Sequence, residues 1–263
     1  MKLATFKVSD GDRSVLAGVL EEGRLRAFAE GEDAVRGVLA GTQSTDGHLG
    51  TFALSDVTLL APVPNPGTIY AIGLNYANHI AEMGHEPPRE PVLFTKLRGS
   101  LTGPSGPVSR PAIVSRLDYE GELALVIGAG GRLGGLCIAD DISARELQER
   151  ESQWTRAKGG DTFCPCGPWI TTIDEIDDPL KLQVRTWVNG ELRQDSSTEN
   201  LVFGPDALID FIAEVAAPQP GDLILTGTPG GVGQGMQPPR YLQPGDRVRV
   251  EIEPLGSIEH KIV

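Results

Sequence analysis

Between Leu117 and Ile127 apolar residues take nearly every second place, at Leu117, Tyr119, Leu123, Leu125 and Ile127, which predicts one β-strand. Glu120 and Glu122 then share the opposite face, their Cα atoms roughly 6.5–7 Å apart at about 3.3 Å of rise per residue. A solvated outer face is the plain explanation of such an E-x-E. Yet Ala124 and Val126 continue that face, and a water-facing surface does not require them. Carboxylates brought to about 4–5 Å under cover repel by roughly 3–4 kcal/mol at an effective dielectric near 20. They must protonate, accept strong donors or bind a cation, and a cation needs a third ligand from elsewhere in the chain.

The same patterning predicts the surroundings. Val15 to Phe28 reads as a hairpin turning at Glu21-Glu22-Gly23-Arg24, Ala34 to Ala40 as a short helix stopped by Gly41, and Val57 to Leu60 as a strand. The proline cluster from Pro62 to Gly67 is the best linker candidate, dividing a small β-rich unit (1–60) from the rest (61–263). Thr68 to Tyr76 predicts a strand entering a helix, with Asn75 as cap of Tyr76 to Met83 and Gly84 at its end. Phe94 to Leu97 is a further short strand. The glycines of 128–135 resemble a dinucleotide loop, but Leu136 to Ala139 reads as a strand, so no helix N-terminus awaits a pyrophosphate. A tight hairpin fits better. Residues 181–203 form a second hairpin turning at Asn189-Gly190. Phe203 to Ala216 is an amphipathic helix with Leu208, Ile209, Ile212 and Val215 on one stripe. Leu223 to Leu225, Val248 to Ile252 and Ile258 to Val263 read as strands.

Composition narrows the function classes. Glycine (33) and proline (20) make up about a fifth of the 263 residues, above the usual share of roughly 12%, which favours strands and turns over a helical bundle. The net charge of −13 argues against nucleic acid or anionic membranes as partners, and any anionic substrate would need local cations to hold it. Three cysteines, Cys137, Cys164 and Cys166, cannot all pair within the chain and lack the spacing of a zinc site. They read as small buried hydrophobes of a reducing cytoplasm. Met1 to Ala4 leads into a strand pattern instead of a signal peptide, and no apolar run reaches membrane-spanning length.

Candidate chemistry clusters in a few places. His79 and Glu82 lie three apart on one helix, so a carboxylate can orient the imidazole as a base, although such pairs are more often surface chemistry. In Asp140 to Gln148, Ser143 and Glu146 suggest a capping box, with Asp140 and Asp141 just before the helix. These aspartates either complement the helix dipole or supply the third ligand. Arg145 and Gln148 share a face beside them. Lys158 sits in a loop rich in Gly, Pro and Cys, where a buried lysine needs a carboxylate or a ligand. The loop from Thr226 to Gly233 lacks the Lys-Ser/Thr of a P-loop, though its amides and a hydroxyl can bind a carboxylate.

Taken together, Tyr70 to Gly84, D-Y-E-G-E at 118–122, D-D-I-S-A-R-E-L-Q at 140–148, the Lys158 to Trp169 loop and T-G-T-P-G-G-V-G at 226–233 resemble the fumarylacetoacetate hydrolase family over roughly residues 61–263. The resemblance implies an α+β, mostly β fold: a mixed β-sandwich or roll preceded by a small β-rich N-terminal domain, assembled as a homodimer. It implies a divalent metal, Mg²⁺ with Mn²⁺ or Ca²⁺ as substitutes, held by Glu120, Glu122 and Asp141. It further implies a lid dyad of His79 and Glu82, oxyanion contacts from Lys158 and Gln148, and substrate contacts from Arg145 and Thr228. The stretch between Glu122 and Asp141 is shorter than the family pattern. Leu97-Arg98, Gly160 and Pro254 also depart from it.

The implied activity is hydrolysis of a C–C bond in an acylpyruvate-like 2,4-dioxo acid through a metal-stabilised enolate, with His79 deprotonating water. The same enolate serves isomerisation of a hydroxydienedioate or decarboxylation of oxaloacetate, and fold does not choose between them. A metal-dependent organic-acid binder without turnover is the alternative outside catalysis.

Overall fold

The computed structural model describes residues 1–9 and 14–263. The first third of the chain holds β1 (Lys2–Val8), β2 (Leu16–Glu21), β3 (Arg24–Glu30), α1 (Ala34–Leu39), β4 (Gly50–Ala53), β5 (Val57–Leu59), β6 (Ile69–Gly73), α2 (Ala77–Glu82) and β7 (Val92–Lys96). The middle adds β8 (Leu101–Thr102), β9 (Leu117–Asp118), β10 (Gly121–Ile127), β11 (Leu133–Asp140), β12 (Ser143–Ala144), α3 (Arg145–Arg150), α4 (Thr155–Lys158) and β13 (Cys164–Thr172). The last part contributes β14 (Gln183–Val188), β15 (Glu191–Ser197), α5 (Pro205–Ala213), β16 (Leu223–Leu225), β17 (Arg247–Ile252) and β18 (Gly256–Lys261).

Twelve strands join one mixed sheet with the path β4-β3-β2-β1-β13-β11-β10-β16-β6-β7, while β5 adds to β1 and β8 to β13. Most pairs are antiparallel, but β16 runs parallel to β6 and β8 to β13. A second sheet, β15-β14-β17-β18, packs against its centre. The fold is α+β and mostly β, as the sequence predicts. Because β1 pairs with β13, the N-terminal strands belong to the same sheet as the later ones.

Both faces of β10 are covered, and this fixes the environment of the site. Leu123, Leu125 and Ile127 join the core between the two sheets, with Val184, Val248, Val250 and Ile258. Ala124 and Val126 enter a second core with Cys137, Cys164, Cys166 and, from α1, Val35 and Leu39. All three cysteines are buried and free. The short spacing after Glu122 is a tight hairpin, closed where Gly128 N–H donates to Arg132 O at 2.7 Å.

Several local expectations need correction. The strand from Leu117 to Ile127 is broken at Tyr119-Glu120: β9 pairs with β12, whereas β10 pairs with β11 and β16. Ser143 and Glu146 form no capping box, because Ser143 lies in β12 and its hydroxyl donates to Asp141 O. Glu146 instead accepts from the Ser115 and Arg116 amides. Asn75 caps no helix. Its side chain donates to Phe203 O and Thr226 O and accepts from Phe203 N, tying three segments together. Helix α5 ends at Ala213, and Val215 beyond it is 87% exposed, off the buried stripe of Leu208, Ile209 and Ile212. The Asn189-Gly190 turn forms as expected, both residues at positive φ.

Candidate active site and cation centre

The break after β9 places Asp118, Glu120 and Glu122 at the end of the central strand, and the turn after β11 brings Asp141 to them. Glu120, Glu122 and Asp141 are buried, and each offers a carboxylate oxygen within 4.8 Å of the other two. Backbone bonds fix the spacing: Asp141 N–H donates to Glu120 O at 2.8 Å.

Three buried cations face these carboxylates. Lys158 Nζ donates to Glu120 Oε2 at 2.6 Å and to Asp141 Oδ2 at 2.8 Å. Lys96 Nζ donates to Asp141 Oδ1 and to Lys158 O. Arg145 reaches Asp118 Oδ2 through Nε at 2.9 Å, Glu120 Oε1 through Nη1 at 2.7 Å and Gln148 Oε1 at 2.8 Å. Burial pushes the Glu120 carboxyl up, but Lys158, Arg145 and His79 together outweigh it and hold it at about 2. Burial likewise opposes the charge on Lys158, and Asp141 and Glu120 more than offset that, raising it.

Glu122 differs. It accepts from Gly227 N at 2.7 Å, and no lysine or arginine pairs with it among the described residues. Burial, then Asp141 and Glu120 beside it, raise its carboxyl well above the ordinary range. Gly227 can come this close because it has no side chain: at φ +98° an added Cβ would lie 3.0 Å from Asn75 Cβ and 3.1 Å from Ile72 O. Among the described residues Asp118, Glu120 and Asp141 each meet a buried lysine or arginine, and Glu122 meets none. An all-oxygen, anionic and charge-deficient donor set suits a hard divalent cation.

A cavity of about 320 Å³ opens over this cluster. Glu120, Arg145 and Lys158 form its charged side, and Phe94, Trp154, Met83 and Leu74 its apolar side. Trp154 and Phe94 meet edge to face, with ring centroids 5.3 Å apart. His79, from α2, also lines the cavity, its Nδ1 3.3 Å from Glu82 Oε2. Glu82 in turn accepts from Gly231 N at 2.9 Å, so the dyad is fastened to the 226–233 loop. Gln148 and Thr228 line the cavity too. Thr228 donates to Gly121 O and accepts from Gln194 Nε2.

Of the nine residues singled out in the sequence, six line this cavity, Glu82 contacts His79 among them, and Glu122 and Asp141 cluster with Glu120. Two further partners belong to the site. Lys96 reads in the sequence only as part of a strand, although Phe94 and Lys96 share one side by alternation and that side is inward. Asp118 precedes Glu120 and Glu122 at the same period of two. It holds Arg145 and accepts from the Gly233 and Gln234 amides.

Fold and site together define a class: a mostly β protein with a trio of buried carboxylates at the floor of a half-charged, half-apolar cavity. Residues 68–263 match the family model described as fumarylacetoacetate (FAA) hydrolase C-terminal. The chain is 38% identical to the mitochondrial oxaloacetate tautomerase fahd2 of Xenopus laevis, over 100% of this chain and 90% of that one. Its fold superposes on the fumarylacetoacetate hydrolase of psychrophilic Exiguobacterium antarcticum with a TM-score of 0.88 at 37% identity, covering 100% and 99% of the two chains. For the 2-hydroxyhepta-2,4-diene-1,7-dioate isomerase of Mycobacterium marinum the TM-score is 0.81 at 34% identity, covering 100% and 98%. The protein belongs to the fumarylacetoacetate hydrolase family. Dependence on a divalent metal goes with that family, and the buried trio fits it. No helix among the described residues is long and apolar enough to cross a membrane.

Proposed function

We propose that this protein is a metal-dependent tautomerase that moves a proton at the carbon beside the oxo group of a small 2-oxo acid, with oxaloacetate as the first compound to test. The observation that carries the reading is one cavity lined by His79, which Glu82 orients, and by Glu120, Arg145 and Lys158 of the carboxylate–cation cluster. Glu120, Glu122 and Asp141 would hold the divalent ion, Mg²⁺ by preference for oxygen ligands. When bound, the ion supplies Lewis-acid polarisation of the substrate's oxo group. Arg145, whose Nη2 has no hydrogen-bond partner among the described residues, brings positive charge against the substrate's carboxylate in a chain whose overall charge repels it. His79, oriented by Glu82, exchanges the proton through Nε2, the ring nitrogen not turned to Glu82. Enol and keto forms differ by one proton on carbon and one on oxygen, so no skeletal bond breaks and no water is consumed. Lys158 and Gln148 already bond Glu120, Asp141 and Arg145. This favours a reaction that needs no dedicated oxyanion hole.

Hydrolysis of an acylpyruvate is the second reading, favoured by the apolar side of the cavity. Trp154, Phe94 and Met83 suit an acyl tail that oxaloacetate lacks. There water would add to the acyl carbon, and the bond to the pyruvate enolate would break. The homodimer, the division at residues 60 and 61 and cytoplasmic residence remain part of the same proposal.

Ketonisation of enol-oxaloacetate, followed by loss of the enol's ultraviolet absorbance in Mg²⁺, tests the first reading. Coupled detection of pyruvate from acetylpyruvate tests the second. The wild type should accelerate ketonisation, and His79→Ala should lose about 10²–10⁴-fold of that rate while keeping its metal affinity. Acceleration of neither reaction, with the acids still bound, would leave an organic-acid binding protein.

A further inference from the structure

The Asp140-Asp141 pair has only one member in the carboxylate trio. Asp140 is wholly buried, and its Oδ1 accepts from Glu120 N at 2.8 Å. Glu120 lies in the gap between β9 and β10, where no neighbouring strand serves its amide. The Asp140 side chain therefore takes the place of a missing ladder bond, beside the Asp141 N–H that holds Glu120 O. Behind Asp140, and from the other sheet, stands His260 of β18. Its Nε2 lies 3.1 Å from Asp140 Oδ2, both side chains fully buried. The contact is close but off the hydrogen-bond line, and neither ring nitrogen has another partner among the described residues.

We propose that Asp140 and His260 are a positioning pair that sets the place of Glu120 among the carboxylates, linking the second sheet to the cation centre. A buried carboxylate stripped of its compensating partner is costly, so His260 keeps Asp140 in its acceptor role. Asp140 falls outside the trio whose oxygens lie within 4.8 Å of one another; its Oδ1 serves the Glu120 amide and its Oδ2 faces the imidazole. Residues that orient ligands from behind change metal affinity by about 10–100-fold when removed. The inference rests on the trio binding a divalent ion.

The test compares metal-stripped wild type with Asp140→Asn, Asp140→Ala, His260→Gln and His260→Leu. Mn²⁺ affinity is read by calorimetry, Glu120 amide exchange in the metal-free protein by NMR, and melting temperature alongside. Asp140→Ala and His260→Leu should bind Mn²⁺ about 10–100-fold more weakly and exchange the Glu120 amide faster. Asp140→Asn keeps a carbonyl oxygen for that amide and His260→Gln keeps a donor, so both should stay near wild type. If Asp140→Ala does not fold, His260→Leu against His260→Gln carries the comparison. Wild-type affinity and exchange in His260→Leu, with only a lower melting temperature, would reduce the pair to core packing and overturn the proposal. Absence of Mn²⁺ binding by the wild type would instead overturn the cation reading, whatever the exchange data show.

Discussion

Strands β10 and β14 are both central strands of antiparallel hairpins, yet they treat charge in opposite ways. Every residue of β10 is buried, whereas β14 alternates between partly exposed and buried along its length. On the outer face of β14, Arg185 and Asp195 meet at 3.2 Å with side chains 39% and 48% exposed. Water hydrates both, and the pair adds little. The carboxylates at the start of β10 have no such recourse. Each takes a buried lysine, arginine or backbone amide, and Glu122 takes only an amide. The same residue types are decoration on one strand and chemistry on the other, and coverage of the second face makes the difference.

The largest effect should come from breaking the buried side of this comparison. Lys96→Met removes a fully buried ammonium from Asp141 and should cost about 3–5 kcal/mol, read from the midpoint of a urea transition with an unchanged slope. A loss no greater than that of a surface pair would mean the cluster is better hydrated than its burial indicates.

A pH series sharpens the contrast within the cluster. Glu122 is raised well above its ordinary 4.5, so the folded metal-free protein keeps this proton to higher pH than the unfolded chain does. Its contribution to stability is full below about pH 4.5 and is lost as pH rises through the raised folded value. Glu120, held at about 2, runs the other way: its contribution is present above its ordinary 4.5 and lost as pH falls toward 2. Glu122→Gln should therefore flatten the fall in melting temperature of the metal-free protein on the alkaline side and leave the acid limb alone. Parallel curves for variant and wild type would contradict the assignment. The smallest effect belongs to the exposed β14–β15 pair, where Asp195→Ala should change stability by under about 1 kcal/mol.

Much of this contrast was legible beforehand, because alternation reports which face a residue takes. It put Ala124 and Val126 beside the glutamates and so implied a covered face. The Asn189-Gly190 and Glu22-Gly23 turns also read directly, since Asn189 and both glycines accommodate the positive φ values there, while Glu22 takes φ +49° against its preference. What alternation cannot report is where pairing stops. Leu117 to Ile127 keeps its apolar rhythm through the break at Tyr119-Glu120, so two strands read as one. Local motifs misled for a similar reason. Ser143, Glu146 and Asn75 are good caps in isolation, but pairing of β12 with β9 takes Ser143 out of the helix, and distant backbone groups claim the Glu146 and Asn75 side chains. His260 gave no local signal, because its partner Asp140 lies in the other sheet.

The proposed chemistry requires that Glu120, Glu122 and Asp141 form a divalent-cation site. Calorimetric titration of the metal-stripped protein with Mg²⁺ tests it most directly, run beside Glu122→Gln. One saturable site is expected in the wild type, severely weakened in the variant. Equal binding by both proteins, or none by the wild type, would contradict it.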